Sequence, residues 1–227
     1  MKRKKQARLR AALVTGFEPF GGHGLNPSAE LARRIDGKTI AGTRVAGRIL
    51  PVDIRKIGGA ITRVLDEVDP VAVINLGLVA GEPVVRLERV ALNLAAFEIP
   101  DNAGRLVEGR PLDESGETAL WSRLDLPRIR RALLDHGIPA RLSSTAGTYL
   151  CNAAMYRFLR AVPPPIPCGF IHIPLLRALV AEMLDRPGAG RELGQYASME
   201  FPTLLRAVEI ALEISLGKAP RKARSRA

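Results

Sequence analysis

The chain of 227 residues carries 34 Lys and Arg against 23 Asp and Glu, a formal net charge of +11, and is 47% hydrophobic and 25% charged. The charge excess is confined to the ends: residues 1–10 hold six basic residues and no acid, residues 218–227 hold five and no acid, and 11–217 is formally neutral. These figures exclude a uniformly basic nucleic-acid-binding body and a disordered chain, and leave one α/β domain over 11–217 between disordered basic tails at 1–10 and 218–227.

The elements follow in chain order. Ala11–Thr15 predicts a first buried strand. Asn26-Pro27 predicts the start of a helix over Ser28–Ile35, with Asn26 as its cap and Pro27 at its first position. Thr39–Leu50 predicts a strand or hairpin, and apolar residues at 54, 57, 61, 65 and 68 predict a helix over Ile54–Val68. Val71–Leu76 reads as a central strand and Val84–Leu94 as extended chain. Helices are expected at Pro127–His136, at Cys151–Val162 (stopped by three prolines) and at Phe201–Leu216, with a strand at Cys168–Ile173. Strands alternating with helices imply a mostly parallel sheet covered on both faces, with its ligand site at the strand ends.

The two cysteines, Cys151 and Cys168, give no disulfide framework, which points to a reducing compartment and a cytoplasmic protein. Ala11–Val14 is too short for a signal-peptide core, and no apolar run approaches the roughly 20 residues of a spanning helix. Two cysteines and three scattered histidines offer no zinc-ligand spacing, so neither a metal nor a cofactor is expected.

Four segments can carry chemistry. Gly16-Phe17-Glu18-Pro19-Phe20-Gly21-Gly22 has the spacing of a phosphate loop but lacks its Lys and Ser/Thr, so nucleotide binding is rejected. Phe17 and Phe20 offer two aromatic faces there, unless both pack under the loop. In Ser144–Asn152, Cys151 stands near a helix N-terminus, where unpaired N–H groups favour a thiolate nucleophile; the alternative is a structural cysteine. His172 sits at a strand end before Pro174, either as a general base or as a satisfied core histidine, whereas His23 and His136 lie in polar stretches. Glu88 is an acid in an apolar extended run; its neighbour Arg89 points to the opposite face, so a buried Glu88 needs another partner, such as an imidazole N–H.

Taken together, GFEPFGG with Asn26-Pro27-Ser28, ERVALNL with IPDN, STAGTYLCN and GFIHIP resemble the pyroglutamyl peptidase I family of cysteine peptidases, in the family's order and over most of residues 11–180. The resemblance implies a single-domain three-layer α/β/α sandwich, often assembled as a homotetramer. It implies Cys151 as nucleophile, His172 as general base, Glu88 as the acid that orients it, and Phe17, Phe20 and Tyr149 as aromatics around a pyroglutamyl ring. The substrates implied are peptides with N-terminal pyroglutamate. The chain departs from the family pattern at Leu78 and Glu82, where an amide and a base are usual, and at Glu98, where the family has Arg. Arg86 stands where the family rarely has a base and is a candidate compensator. These departures motivate a second reading, a peptidase scaffold that binds a ligand without turnover and meets nucleic acid only through its tails.

Overall fold

The first apolar run becomes a strand buried on both faces. The computed structural model describes residues 8–185 and 196–220, and in it β1 spans Leu9–Phe17, buried from Ala11 onward. β1 lies between β3 (Thr43–Leu50) and β4 (Val68–Leu78), and β4 pairs with β10 (Cys168–Ile173); all three pairings are parallel. β5 (Val85–Leu92) runs antiparallel to β10 and to β8 (Ala119–Trp121) and parallel to β9 (Ala140–Thr145). β2 (Thr39–Ile40) forms a hairpin with β3 and completes a mixed, mostly parallel sheet of eight strands among the described residues. Two small ribbons, β6 (Ala95–Ala96) with β7 (Glu108–Arg110) and β11 (Leu175–Leu176) with β12 (Ser198–Met199), dress the strand ends.

Helices cover both faces. On one face α2 (Ile57–Glu67) and α4 (Leu150–Ala161) bury Ile57, Ile61, Leu150, Met155 and Phe158 against Leu13, Val73 and Phe170 of the sheet. On the other, α1 (Pro27–Ile35), α3 (Leu126–Asp135), α5 (Arg177–Leu184) and α6 (Phe201–Ser215) bury Leu31, Ile129, Leu179 and Ile210 against Val14, Ile74 and Leu87. Alternate residues of one strand, such as Leu13 and Val14, feed opposite cores, as the period of two requires. This α/β fold is the class that the strand–helix alternation implies.

Local chemistry sets the element boundaries. Asn26 caps α1 as expected: its Oδ1 accepts from the Ser28 N–H at 3.0 Å, and Pro27 stands in the first turn. Expected and observed helices agree closely at α3, α4 and α6. α2 starts three residues late, after a turn in which Lys56 and Ile57 both donate to the Asp53 carbonyl. β4 runs through Pro70, which the sequence reading placed before the strand; the ladder to β1 shifts register between Ala11 and Ala12, where Pro70 is accommodated. β9 and α5 have no expected counterpart: ARLSST lacks an apolar run, and α5 buries only Leu179. β1 begins at Leu9, inside the basic N-terminal segment; residues 1–7 and 221–227 lie outside the described residues.

The β1–α1 turn demands glycine at one point. A Cβ on Gly16 would overlap the Ser28 carbonyl, which is backbone and cannot rotate away. Gly16→Ala is therefore expected to lower stability by about 1–3 kcal/mol, read as an earlier midpoint in urea denaturation with an unchanged slope.

Candidate active site

The site is built on one face at the strand ends. In the β10–β5 ladder Phe170 faces Glu88 and His172 faces Arg86, so these four residues share a face by the period-two rule. Arg89 points away and is exposed. Glu88 is 0% exposed, so its charge needs a partner. Its Oε1 accepts from His172 Nδ1 at 2.8 Å, so the imidazole partner expected from the sequence is present. That bond fixes the tautomer and leaves Nε2 to face the reacting groups.

Cys151 enters from α4. Gly147, at φ +80°, turns the chain after β9, and Tyr149 then occupies the cap position without a side-chain capping bond. Asn152 locks the helix start to β5: its Oδ1 accepts from the Leu92 N–H at 2.8 Å, and its Nδ2 donates to the Leu92 and Leu94 carbonyls at 2.9 Å. The thiol lies over β4. A Cβ on Gly77 would stand 2.8 Å from Cys151 Sγ and 2.7 Å from the Phe170 ring, and Gly77 is the register partner of His172 on the adjacent strand. The sulfur, from α4, therefore lies over β4, and the imidazole stands on the adjacent strand β10 on the same face.

Electrostatics set the protonation of the thiol. Burial pushes Cys151 up to about 12, the Glu88 carboxylate adds to this, and Arg86 and the Cys151 N–H oppose it. The resting thiol thus keeps its proton at neutral pH, and attack needs a base. The Cys151 N–H at the helix N-terminus pulls toward the thiolate, and desolvation pulls against it. Cys168 is fully buried in the core, and burial pushes it to about 12 as well.

The aromatics divide. Phe17 is buried at the end of β1 with its ring 6.4 Å from that of Phe170, so it packs beneath the site. Phe20 and Tyr149 are partly exposed, with ring centroids 6.4 Å apart, and Phe97 meets Tyr149 edge-on at 4.5 Å. Tyr149 Oη donates to the Pro100 carbonyl at 3.1 Å, and burial, with Asp101 and Cys151, raises its pKa to about 12. The Phe20 loop and the 98–105 loop are tied together: Asn102 Nδ2 donates to Glu18 Oε1 at 3.1 Å and to the Pro19 carbonyl at 2.8 Å.

Of the departures, Leu78 packs into the core on the sheet face opposite the site, and Glu98 is exposed. The charges acting on Cys151 are those of Glu88 and Arg86. Arg86 does reach the site, with Nε 3.2 Å from Glu88 Oε1. Sequence reading passed over Gly77, Phe97 and Asn152, whose roles depend on contacts across the sheet. It also passed over the shared face of Arg86 and Glu88, although their spacing of two already signalled it.

A thiol, an imidazole and a buried carboxylate on one face of an α/β sheet, at its strand ends, form the arrangement of a cysteine-dependent hydrolase. The family model described as pyroglutamyl peptidase matches residues 10–218. The chain is 38% identical to the pyrrolidone-carboxylate peptidase of Pyrococcus furiosus over 207 residues, 90% of this chain and 97% of that protein. It is 38% identical to that of Chromobacterium violaceum over 208 residues, 92% of this chain and 93% of that protein. A solved structure of a mutant pyrrolidone carboxyl peptidase from P. furiosus superposes with a TM-score of 0.85 at 36% identity, covering 92% of this chain and 99% of that one. The chain belongs to the pyroglutamyl peptidase family.

The glycine beneath the thiol is open to test. Gly77→Ala is expected to displace Sγ and to slow alkylation of Cys151 by iodoacetamide, while the fold survives at a cost of about 1–3 kcal/mol. Peptide mapping of the native protein should place the label on Cys151 and not on buried Cys168.

Proposed function

We propose that the protein is a cysteine peptidase that hydrolyses the amide bond after an N-terminal pyroglutamyl residue. The observation that carries this reading is the Glu88–His172 bond, buried beside a thiol at the start of α4, in a chain of this family.

The pyroglutamyl carbonyl carbon is attacked by Cys151 Sγ as His172 Nε2 takes the thiol proton. The tetrahedral oxyanion is held by backbone N–H groups at the start of α4, that of Cys151 among them. On collapse the C–N bond breaks, and His172 returns its proton to the departing amine. Water then adds to the thioester with His172 again as base, and free pyroglutamate leaves as the thiol is restored. Glu88 holds the ring in the productive tautomer and balances the imidazolium that forms at each step. The lactam has no free α-amino group and is flat and uncharged, which suits a slot bordered by Phe20, Tyr149 and Phe97 over a floor underlain by Phe17.

The non-catalytic alternative loses its motive at Leu78, which packs on the sheet face away from the site. We take the enzyme to work in the cytoplasm as a homo-oligomer. Both described cysteines are free, and no helix among the described residues is long and apolar enough to cross a membrane.

Hydrolysis of pyroglutamyl 7-amido-4-methylcoumarin tests the reading. Wild type is expected to release the fluorophore and Cys151→Ser to release none. Glu88→Gln, which cannot balance the imidazolium, should lose about 10²–10⁴-fold in kcat/KM. A folded, reduced wild type without turnover would overturn the assignment.

A further inference from the structure

The carboxylate that orients His172 belongs to a chain of alternating charges running outward from the site. Glu88 Oε1 lies 2.8 Å from His172 Nδ1 and 3.2 Å from Arg86 Nε. The Arg86 approach is close but poorly aligned, so Nε makes no hydrogen bond there, and Glu88 Oε2 has no hydrogen-bond partner among the described residues. Arg86 is held from its other end: Nη2 donates to Ser143 Oγ at 3.0 Å, and Nη1 lies 3.5 Å from Glu82 Oε1. Glu82 is gripped in turn by Arg141, whose Nε and Nη2 donate to its two oxygens at 2.9 and 2.8 Å. The order outward is His172, Glu88, Arg86, Glu82, Arg141. It runs from a fully buried carboxylate to an arginine side chain that is 47% exposed.

We propose that Arg86 is a positioning residue that keeps His172 neutral and able to accept a proton, by cancelling part of the Glu88 charge, and that Glu82 and Arg141 set the strength of that cancellation. The proposal rests on the reading of His172 as the base.

The physical reason is charge bookkeeping in a dry site. A carboxylate without water demands a counter-charge. If Arg86 were absent, the cation within reach of Glu88 would be His172 itself, in its protonated form. An imidazolium cannot take the proton of Cys151, and the thiol needs such a base because burial keeps it protonated. With Arg86 in place, Glu88 is already paired, and it can orient the ring without charging it. Arg86 faces His172 directly across the β5–β10 ladder, so its charge also opposes the imidazolium itself. Glu82 acts with the opposite sign: it draws Arg86 outward, and its own charge is coupled to His172. From α4 the Cys151 thiol lies over Gly77, the uncharged register partner of His172 on β4.

Opposite signs make the test sharp. The titration of the His172 ring is followed by NMR in ¹⁵N-histidine-labelled full-length protein, with His23 and His136 as internal references. The pH profile of kcat/KM on the pyroglutamyl coumarin amide is measured alongside. Arg86→Gln should raise the His172 midpoint by about one pH unit, and the acid limb of kcat/KM should move up with it. Glu82→Gln should move both downward, and Arg86→Lys should restore both toward wild type. A merely structural role for Arg86 would lower activity or stability without displacing the midpoint. An unmoved His172 midpoint in Arg86→Gln, or a shift of the same sign in Glu82→Gln, overturns the proposal. If Arg86→Gln fails to fold, the more exposed Glu82→Gln and the charge-conserving Arg86→Lys still decide it. A wild type that titrates as described yet hydrolyses no pyroglutamyl amide would refute the proposed function and leave the assignment of Arg86 standing.

Discussion

Glu88 carries a carboxylate into the sheet where water does not follow, and the architecture of the site answers to that charge. A buried anion is tolerated when it is paired, and here the pairing falls to the His172 ring at 2.8 Å and the Arg86 guanidinium at 3.2 Å. The two partners act differently. The imidazole bond is directed and fixes a tautomer; the guanidinium contact is electrostatic and has no aligned hydrogen bond.

The mixed sheet makes this juxtaposition possible. β10 is parallel to β4 on one side and antiparallel to β5 on the other. The parallel partner ends at the same level and contributes a glycine, so that the thiol from α4 can settle over bare backbone. The antiparallel partner places Glu88 two residues before His172 in register, opposite Phe170, so the carboxylate reaches Nδ1 and leaves Nε2 free of that bond. Asn152 ties the two halves together, because a single side chain immediately after the cysteine bonds both N–H and carbonyl groups of the β5 end.

The aromatic residues occupy two layers. Phe17 and Phe170 are core residues that underlie the imidazole, the Phe170 and His172 ring centroids being 4.8 Å apart. Phe20 and Tyr149, both partly exposed, form an outer pair with buried Phe97 edge-on beneath Tyr149, held in place by Asn102 and by the Tyr149 hydroxyl on the Pro100 carbonyl. The inner layer is a matter of packing and the outer one of access.

The sequence by itself determined the types of the main elements other than β9 and α5, the cap of α1, the opposite facing of Glu88 and Arg89, and the four candidate segments. These depend on local spacing: a period of two or 3.6, a proline after an asparagine, a cysteine at the start of an apolar helix. It also held, in the two-residue spacing of Arg86 and Glu88, the sign that both share one face. Only the tertiary structure decided that Gly77 makes room for the thiol, that Leu78 packs on the sheet face away from the site, and that Glu82 and Arg141 belong to its charge network. Those outcomes depend on which strands lie side by side and in what register, and residues far apart in the chain acquire a distance, and hence an energy, only when the sheet closes.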